Sequence, residues 1–264
     1  MKTKKIASLL LAAVLLAASV LALPACSGNP DDPGTKTEKD ISIVAREQGS
    51  GTREAFDTVV TDGTHFLQEK DENGKVHYYT AKAAAELGST GMVLSAVASD
   101  TNAIGYISLG SVNDTIRVLQ VGGVLPSKET VLSGAYKIQR PFVVMTKKDQ
   151  TLTPLTADFL AYLESNEAEA HCESAGTIFL TDPAKRANEG ETGIAVASYT
   201  KQASLPAGDK IIVRGSTSMD KLIHAAAKGY AALYGVSADK IFDIQLEGSS
   251  VGRKAVAQDT VGNT

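Results

Sequence analysis

Tryptophan is absent from this 264-residue chain, and all aromatic residues together make up 5% of it. So few flat rings exclude a stacking platform for bases or sugars. Basic charge is not in excess either: 26 Lys and Arg against 30 Asp and Glu leave a formal charge of −4 and no footprint for nucleic acid. Only four histidines occur, His65, His77, His171 and His224, and their scatter shows no zinc or triad spacing. His171 beside Cys172 is not a ligand set, and the acidic residues show no paired spacing for a metal, so no metal and no cofactor is expected. Hydrophobic residues make up 43%, enough to bury a substantial core as one large domain or two lobes.

Long hydrophobic runs are missing too, with one exception. Lys2, Lys4 and Lys5 precede an apolar stretch from Ile6 to Leu23, which closes on Leu23-Pro24-Ala25-Cys26. A charged start, an apolar middle and a small residue before cysteine resemble a lipoprotein signal peptide over 1–26, with Cys26 as the lipidation site. An ordinary signal peptide and a retained membrane helix are the alternatives, since the run is long enough to span. Residues 27–40, rich in Pro, Gly and charge, read as a flexible tether. With Cys26 lipidated, Cys172 is left without a disulfide partner.

What the chain does have is a strand that ends in charge. Ile41-Ser42-Ile43-Val44-Ala45-Arg46 alternates and is β-branched; Glu47-Gln48-Gly49-Ser50-Gly51-Thr52-Arg53 then leads into a helical pattern through Phe56, Val59 and Val60. A helix N-terminus offers unpaired N–H groups and the positive end of a dipole. Ser50 and Thr52 add hydroxyls, and Arg46 adds a planar fork suited to tetrahedral oxyanions. The plainer alternative is Ser50 or Thr52 as an ordinary N-cap and Arg46 in a surface ion pair. Arg53 is either a second anion contact or, the favoured reading, a first-turn residue pairing Glu54 or Asp57.

The design recurs. Lys210-Ile211-Ile212-Val213-Arg214 runs into Gly215-Ser216-Thr217-Ser218 and a helix through Leu222, Ile223, Ala226, Ala227 and Tyr230. Ile241 to Leu246 runs into Gly248-Ser249-Ser250 and a helix with Ala255 and Val256. Three strand–hydroxyl–helix units can converge on one oxyanion. Elsewhere, Asn73-Gly74 marks a hairpin tip, 90–98 a helix, 103–108 a strand, 116–119 another, and 136–146 a long extended run interrupted by Pro141. Segments 153–164 and 167–175 read as helices. Strands alternating with helices argue for α/β architecture.

The string Ile43-Val44-Ala45-Arg46-Glu47-Gln48-Gly49-Ser50-Gly51-Thr52-Arg53-Glu54-Ala55-Phe56 resembles the second-half signature of PstS-type phosphate-binding proteins of phosphate ABC transporters. Gly215 to Ser218, and Gly248 to Ser250 with Lys254-Ala255-Val256, are similar to the signatures that open that family's first half. Asn102 to Ser108 and Ile138-Gln139-Arg140-Pro141-Phe142 sit where the family has similar strings. The resemblance implies a two-lobed type II periplasmic-binding-protein fold with a central cleft and crossover hinge strands. One lobe is expected over 41–137, the other over 138–182 plus 209–264, and a connector over 183–208. Here the first-half segments follow the second-half one, and the sequence stops at Thr264, where the family continues into a strand with further site residues.

By the same resemblance, Arg46, Ser50, Gly51 and Thr52 from one lobe, and Thr217, Ser218 and Ser249 from the other, are expected to bind inorganic phosphate. Glu47 and Asp220 are both candidates for accepting the phosphate proton. No Walker loop, Gly-x-Ser-x-Gly elbow or base accompanies the hydroxyls, so an enzyme is not expected. The expectation is a lipid-anchored, extracytoplasmic monomer on the cell membrane that serves ABC permease subunits. A degenerate surface sensor or interaction module with an incomplete anion site is the alternative.

Overall fold

The computed structural model describes residues 40–61, 63–186 and 195–258. The expected signal segment with Cys26, the tether up to residue 39 and part of the connector lie outside these. Strand β1 (Ser42–Arg46) is the centre of a three-stranded parallel sheet, flanked by β4 (Ala85–Leu87) and β5 (Ala103–Gly105). Val44, Ala45 and Arg46 are consecutive and all buried, as a central parallel strand requires because both of its faces are covered. Helix α1 (Gly51–Val59) follows β1, and α2 (Thr90–Ser99) follows β4. Helix α2 lies against the sheet at Gly105, where a Cβ would stand 3.0 Å from Val93 Cγ1.

Between α1 and β4, β2 (Gln68–Lys70) and β3 (Val76–Tyr78) form the antiparallel hairpin expected at Asn73-Gly74. Gly74 takes a left-handed φ of 78°, and the Asp71 carboxylate accepts from the Asn73 and Lys75 amides at 3.0 and 2.9 Å.

Short α3 (Lys128–Leu132) precedes α4 (Pro154–Glu164) and α5 (Glu167–Ser174). A second parallel pair, β6 (Ile211–Arg214) and β7 (Phe242–Gln245), is joined by α6 (Asp220–Leu233) and α7 (Ala238–Ile241), and α8 (Ser249–Ala257) follows β7. Phe159 and Tyr162 of α4, Tyr230 of α6, Ile241 and Phe242 form the main apolar core. At its margin one carboxylate oxygen of Asp158 accepts from Tyr199, Tyr230 and Tyr234 at 2.7, 2.7 and 3.0 Å, tying the segment around Tyr199 to two helices.

One expected strand does not form: residues 116–119 have a bend and irregular structure. The 136–146 run, interrupted by Pro141, makes no ladder. Val143, Val144 and Met145 there are exposed, so alternation in that segment marks no sheet face. Conversely, β4 was not expected: Ala-Glu-Leu favours helix, and its pairing with β1 overrides that preference.

Helix α8 reaches β6 through Gly252, where a Cβ would stand 2.7 Å from the Arg214 carbonyl oxygen and 2.9 Å from Gly215 Cα. In an open helix Gly→Ala stabilises by up to about 1 kcal/mol. Here Gly252→Ala is expected to destabilise by about 1–3 kcal/mol, because backbone has to move apart. Urea unfolding checks the sign: a stabilised variant would mean that α8 does not pack this closely.

Candidate functional site

Each strand of the two parallel sheets that leads into a helix delivers hydroxyls to that helix's start. Ser50 caps α1, its side chain accepting from the Arg53 amide at 3.4 Å. Ser216 does the same at the 3-10 turn Thr217–Met219 that opens α6, accepting from the Ser218 amide at 3.2 Å. Gly248, at φ 151°, lets the chain turn into α8.

The structure brings all seven residues named from the sequence together. Thr52 Oγ1 and Ser218 Oγ share a hydrogen bond of 2.7 Å, and the Gly51 amide donates to Ser249 Oγ at 3.1 Å. The Ser250 amide donates to the Gly49 carbonyl at 3.2 Å, and Arg253 pairs with Glu54 at 3.1 Å, so α8 lies directly against the start of α1. Gly51 permits this approach: a Cβ there would stand 2.5 Å from Ser249 Oγ. A recess of about 140 Å³ opens beside the α1 cap, lined by Gln48, Gly49, Ser50, Arg53, Glu54 and Arg253 among others.

Thr90 was missed. It opens α2, its hydroxyl accepts from Arg46 Nη1 at 3.2 Å, and it lies 3.3 Å from Thr217 Oγ1 and 3.5 Å from Ser218 Oγ. Its amide donates to Thr217 Oγ1 at 3.4 Å. The signal was a fourth strand–hydroxyl–helix unit, Gly88-Ser89-Thr90-Gly91, hidden because Ala85 to Leu87 does not read as a strand.

Arg46 is fully buried rather than part of a surface pair, and its fork is already occupied. Nε and Nη2 donate to the two carboxylate oxygens of Glu47 at 2.8 and 3.0 Å. Above it, the Tyr106 hydroxyl accepts from the Arg46 amide at 3.1 Å, and burial pushes that phenol up to about 12. Glu47 therefore belongs to the site, whereas Asp220 is exposed and lies 3.6 Å from His224.

Arg53 takes the structural option, with Asp57 and not Glu54 as its partner. Its Nε donates to Asp57 Oδ2 at 3.1 Å, and Nη1 to the Arg46 carbonyl at 3.0 Å and to Glu86 at 2.6 Å. Burial pulls the guanidinium down, but the bonds to Glu86 and Asp57 outweigh it and hold it raised. Burial raises Asp57, against the pull of Arg53. His171 Nε2 is bonded to the Tyr162 hydroxyl at 2.6 Å, and burial pushes the adjacent Cys172 thiol up.

The assembled groups are mainly donors: amides at helix starts and hydroxyls that bond one another, over guanidinium groups held by Glu47, Asp57 and Glu86. Such a set holds a compact oxyanion by charge-assisted hydrogen bonds. Breaking a buried ion pair from one side is costly, so Arg53→Met is expected to lose about 3–5 kcal/mol of stability. Urea denaturation at unchanged slope measures it; a loss under about 1 kcal/mol would show that the Arg53 cluster does not brace the site.

A family model described as a PBP superfamily domain matches residues 29–167. Phosphate-binding protein PstS 2 of Streptococcus pneumoniae serotype 4 is 36% identical over 260 residues, which cover 98% of this chain and 79% of that protein. Phosphate-binding protein PstS 2 of Streptococcus agalactiae serotype V is 33% identical over 252 residues, 96% of this chain and 76% of that protein. The crystal structure of a phosphate-binding protein of a phosphate ABC transporter from Streptococcus pneumoniae TIGR4 superposes with a TM-score of 0.56 at 34% identity, covering 84% of this chain and 76% of that one.

Proposed function

The chain belongs to the PstS family of phosphate-binding proteins, with its two-lobed type II periplasmic-binding-protein fold, and on that premise we propose that it captures inorganic phosphate for an ABC importer. The observation that carries this reading is the meeting of four helix starts, those of α1, α2, α6 and α8, through the hydroxyls of Thr52, Thr90, Thr217, Ser218 and Ser249. Phosphate near neutral pH carries one to two negative charges, and each hydrogen bond to a charged group is worth roughly 1.5–3 kcal/mol. A micromolar site needs about 8 kcal/mol net, within reach of this donor set after binding costs.

Ser50, Gly51 and Thr52 would hold the anion from one lobe (41–137), and Thr217, Ser218 and Ser249 from the other (138–182 plus 209–264), with 183–208 connecting. The two separate parallel sheets support that division. Arg46 serves as a fixed cation under the site, its orientation locked by Glu47 and Thr90. Holding rather than transforming the anion is the role such donors suit. The protein is then a monomeric lipoprotein anchored through Cys26 on the outer face of the membrane, where it meets the permease subunits.

Calorimetric titration of the mature protein with phosphate tests the site. Ser50→Ala and Thr52→Val are each expected to weaken binding several-fold to about tenfold, up to about 1.4 kcal/mol, with the melting temperature held within a few degrees. Wild-type protein that takes up no phosphate would favour the degenerate-module alternative. Cys26→Ser should abolish incorporation of labelled fatty acid and release the protein from the membrane; label persisting in that variant would remove the lipoprotein assignment.

A further inference from the structure

Most cations near the site already have a carboxylate. Arg46 is paired with Glu47, Arg53 with Asp57 and Glu86, Arg214 with Asp243 and Arg253 with Glu54. Arg140 differs. It lies on the irregular stretch that runs into Pro141 and Phe142, and among the described residues its guanidinium makes no hydrogen bond or ion pair. The carboxylate whose charge acts on it, Glu54, is engaged by Arg253.

The head of Arg140 is nonetheless placed. It stands 5.6 Å from the centre of the Phe142 ring, and Nη2 lies 3.2 Å from the point that a Cβ on Gly51 would occupy. Ser249 Oγ crowds that same point at 2.5 Å. The missing side chain of Gly51 thus makes room for a hydroxyl from α8 and a guanidinium from the 138–142 stretch, both at the positive end of α1. Although the residue as a whole is exposed, burial of the group holds the guanidinium below its ordinary value.

Removing water from a cation without supplying a counter-ion is unfavourable, and the deficit is recovered when an anion arrives. A guanidinium against an aromatic face also keeps its N–H donors in plane and pointing outward. We propose that Arg140 is the second cation of the phosphate site, contacting the anion at the start of α1 and supplying the positive charge that Arg46 has given to Glu47. The proposal rests on the phosphate reading above. It divides the work: Arg46 and the hydroxyls set geometry, and Arg140 sets electrostatic strength.

The test is calorimetry with inorganic phosphate across a salt series on wild type, Arg140→Gln, Arg140→Lys and Ser50→Ala. Arg140→Gln is expected to weaken binding at least tenfold and to flatten the dependence on salt, because one partly exposed charge has gone. Arg140→Lys is expected to keep the salt dependence while binding a few-fold more weakly, since a point charge replaces the fork. A role confined to packing would lower the melting temperature without altering the salt dependence, and that result overturns the proposal. Binding by Arg140→Gln within twofold of wild type, with Ser50→Ala weakened, overturns it while leaving the phosphate reading intact. Wild-type protein that takes up no phosphate at any salt concentration overturns both. Should Arg140→Gln not fold, the lysine variant decides: a salt dependence flattened despite the retained charge rejects the proposal.

Discussion

Four helix starts meeting at one place repel one another, and the rest of the structure is arranged to hold them there. Each N-terminus carries the equivalent of about half a positive charge, and α1, α2, α6 and α8 all present theirs through hydrogen-bonded hydroxyls or amides. The hydroxyl oxygens relieve part of this repulsion, the Thr52–Ser218 and Gly51–Ser249 bonds being the shortest links. Covalent geometry supplies the remainder. Short turns after parallel strands leave a helix little freedom in where it starts, and close contacts at Gly105 and Gly252 press α2 and α8 onto their sheets. A site of this kind is strong for anions because it is unfavourable without one.

The buried charges beneath it follow from the same constraint. A guanidinium with no exposed surface, such as that of Arg46, cannot keep its charge cheaply without a partner, and Glu47 is the adjacent residue in the chain. The bidentate pair leaves Nη1 directed at Thr90, so the ion pair orients a hydroxyl of the site as well as satisfying itself. Arg53 repeats the pattern one layer down, joining the carbonyl of Arg46 to Asp57 and Glu86. In this arrangement carboxylates fix the position of cations and remove their net charge together. Geometry and field strength therefore have to come from different residues.

Much of this was legible in the residues, and the exceptions are instructive. β1 with α1, β6 with α6 and β7 with α8 were readable because a β-branched run, a Gly-Ser-Thr turn and a helical period agree on the same boundary. β4 was not, since Ala-Glu-Leu becomes a strand only through pairing with β1, and with it the Thr90 unit was lost. Asp57 was among the partners foreseen for Arg53, but Glu47 for Arg46 and Glu86 for Arg53 were beyond reach, because a carboxylate one residue away and another 33 away look alike until the backbone places them. The run at 136–146 makes no ladder, as Pro141 already argued, and Val143, Val144 and Met145 within it are exposed.

The order of the segments is compatible with all this for a physical reason. Each strand–turn–helix unit builds its own donor cluster from local geometry, and the clusters meet through contacts between residues as distant as 51 and 249. Nothing in such contacts depends on which unit is synthesised first, provided the connections reach. β6 and β7 pair with each other and not with β1, so their sheet does not need to lie on one particular side of β1 in the sequence. What has to be preserved is the approach of α8 to α1, where glycine at 49 and 51 leaves room for Ser250 and Ser249, and the seating of α8 on β6, where Gly252 meets the Arg214 and Gly215 backbone. Those three positions, more than segment order, are where the architecture depends on residue identity.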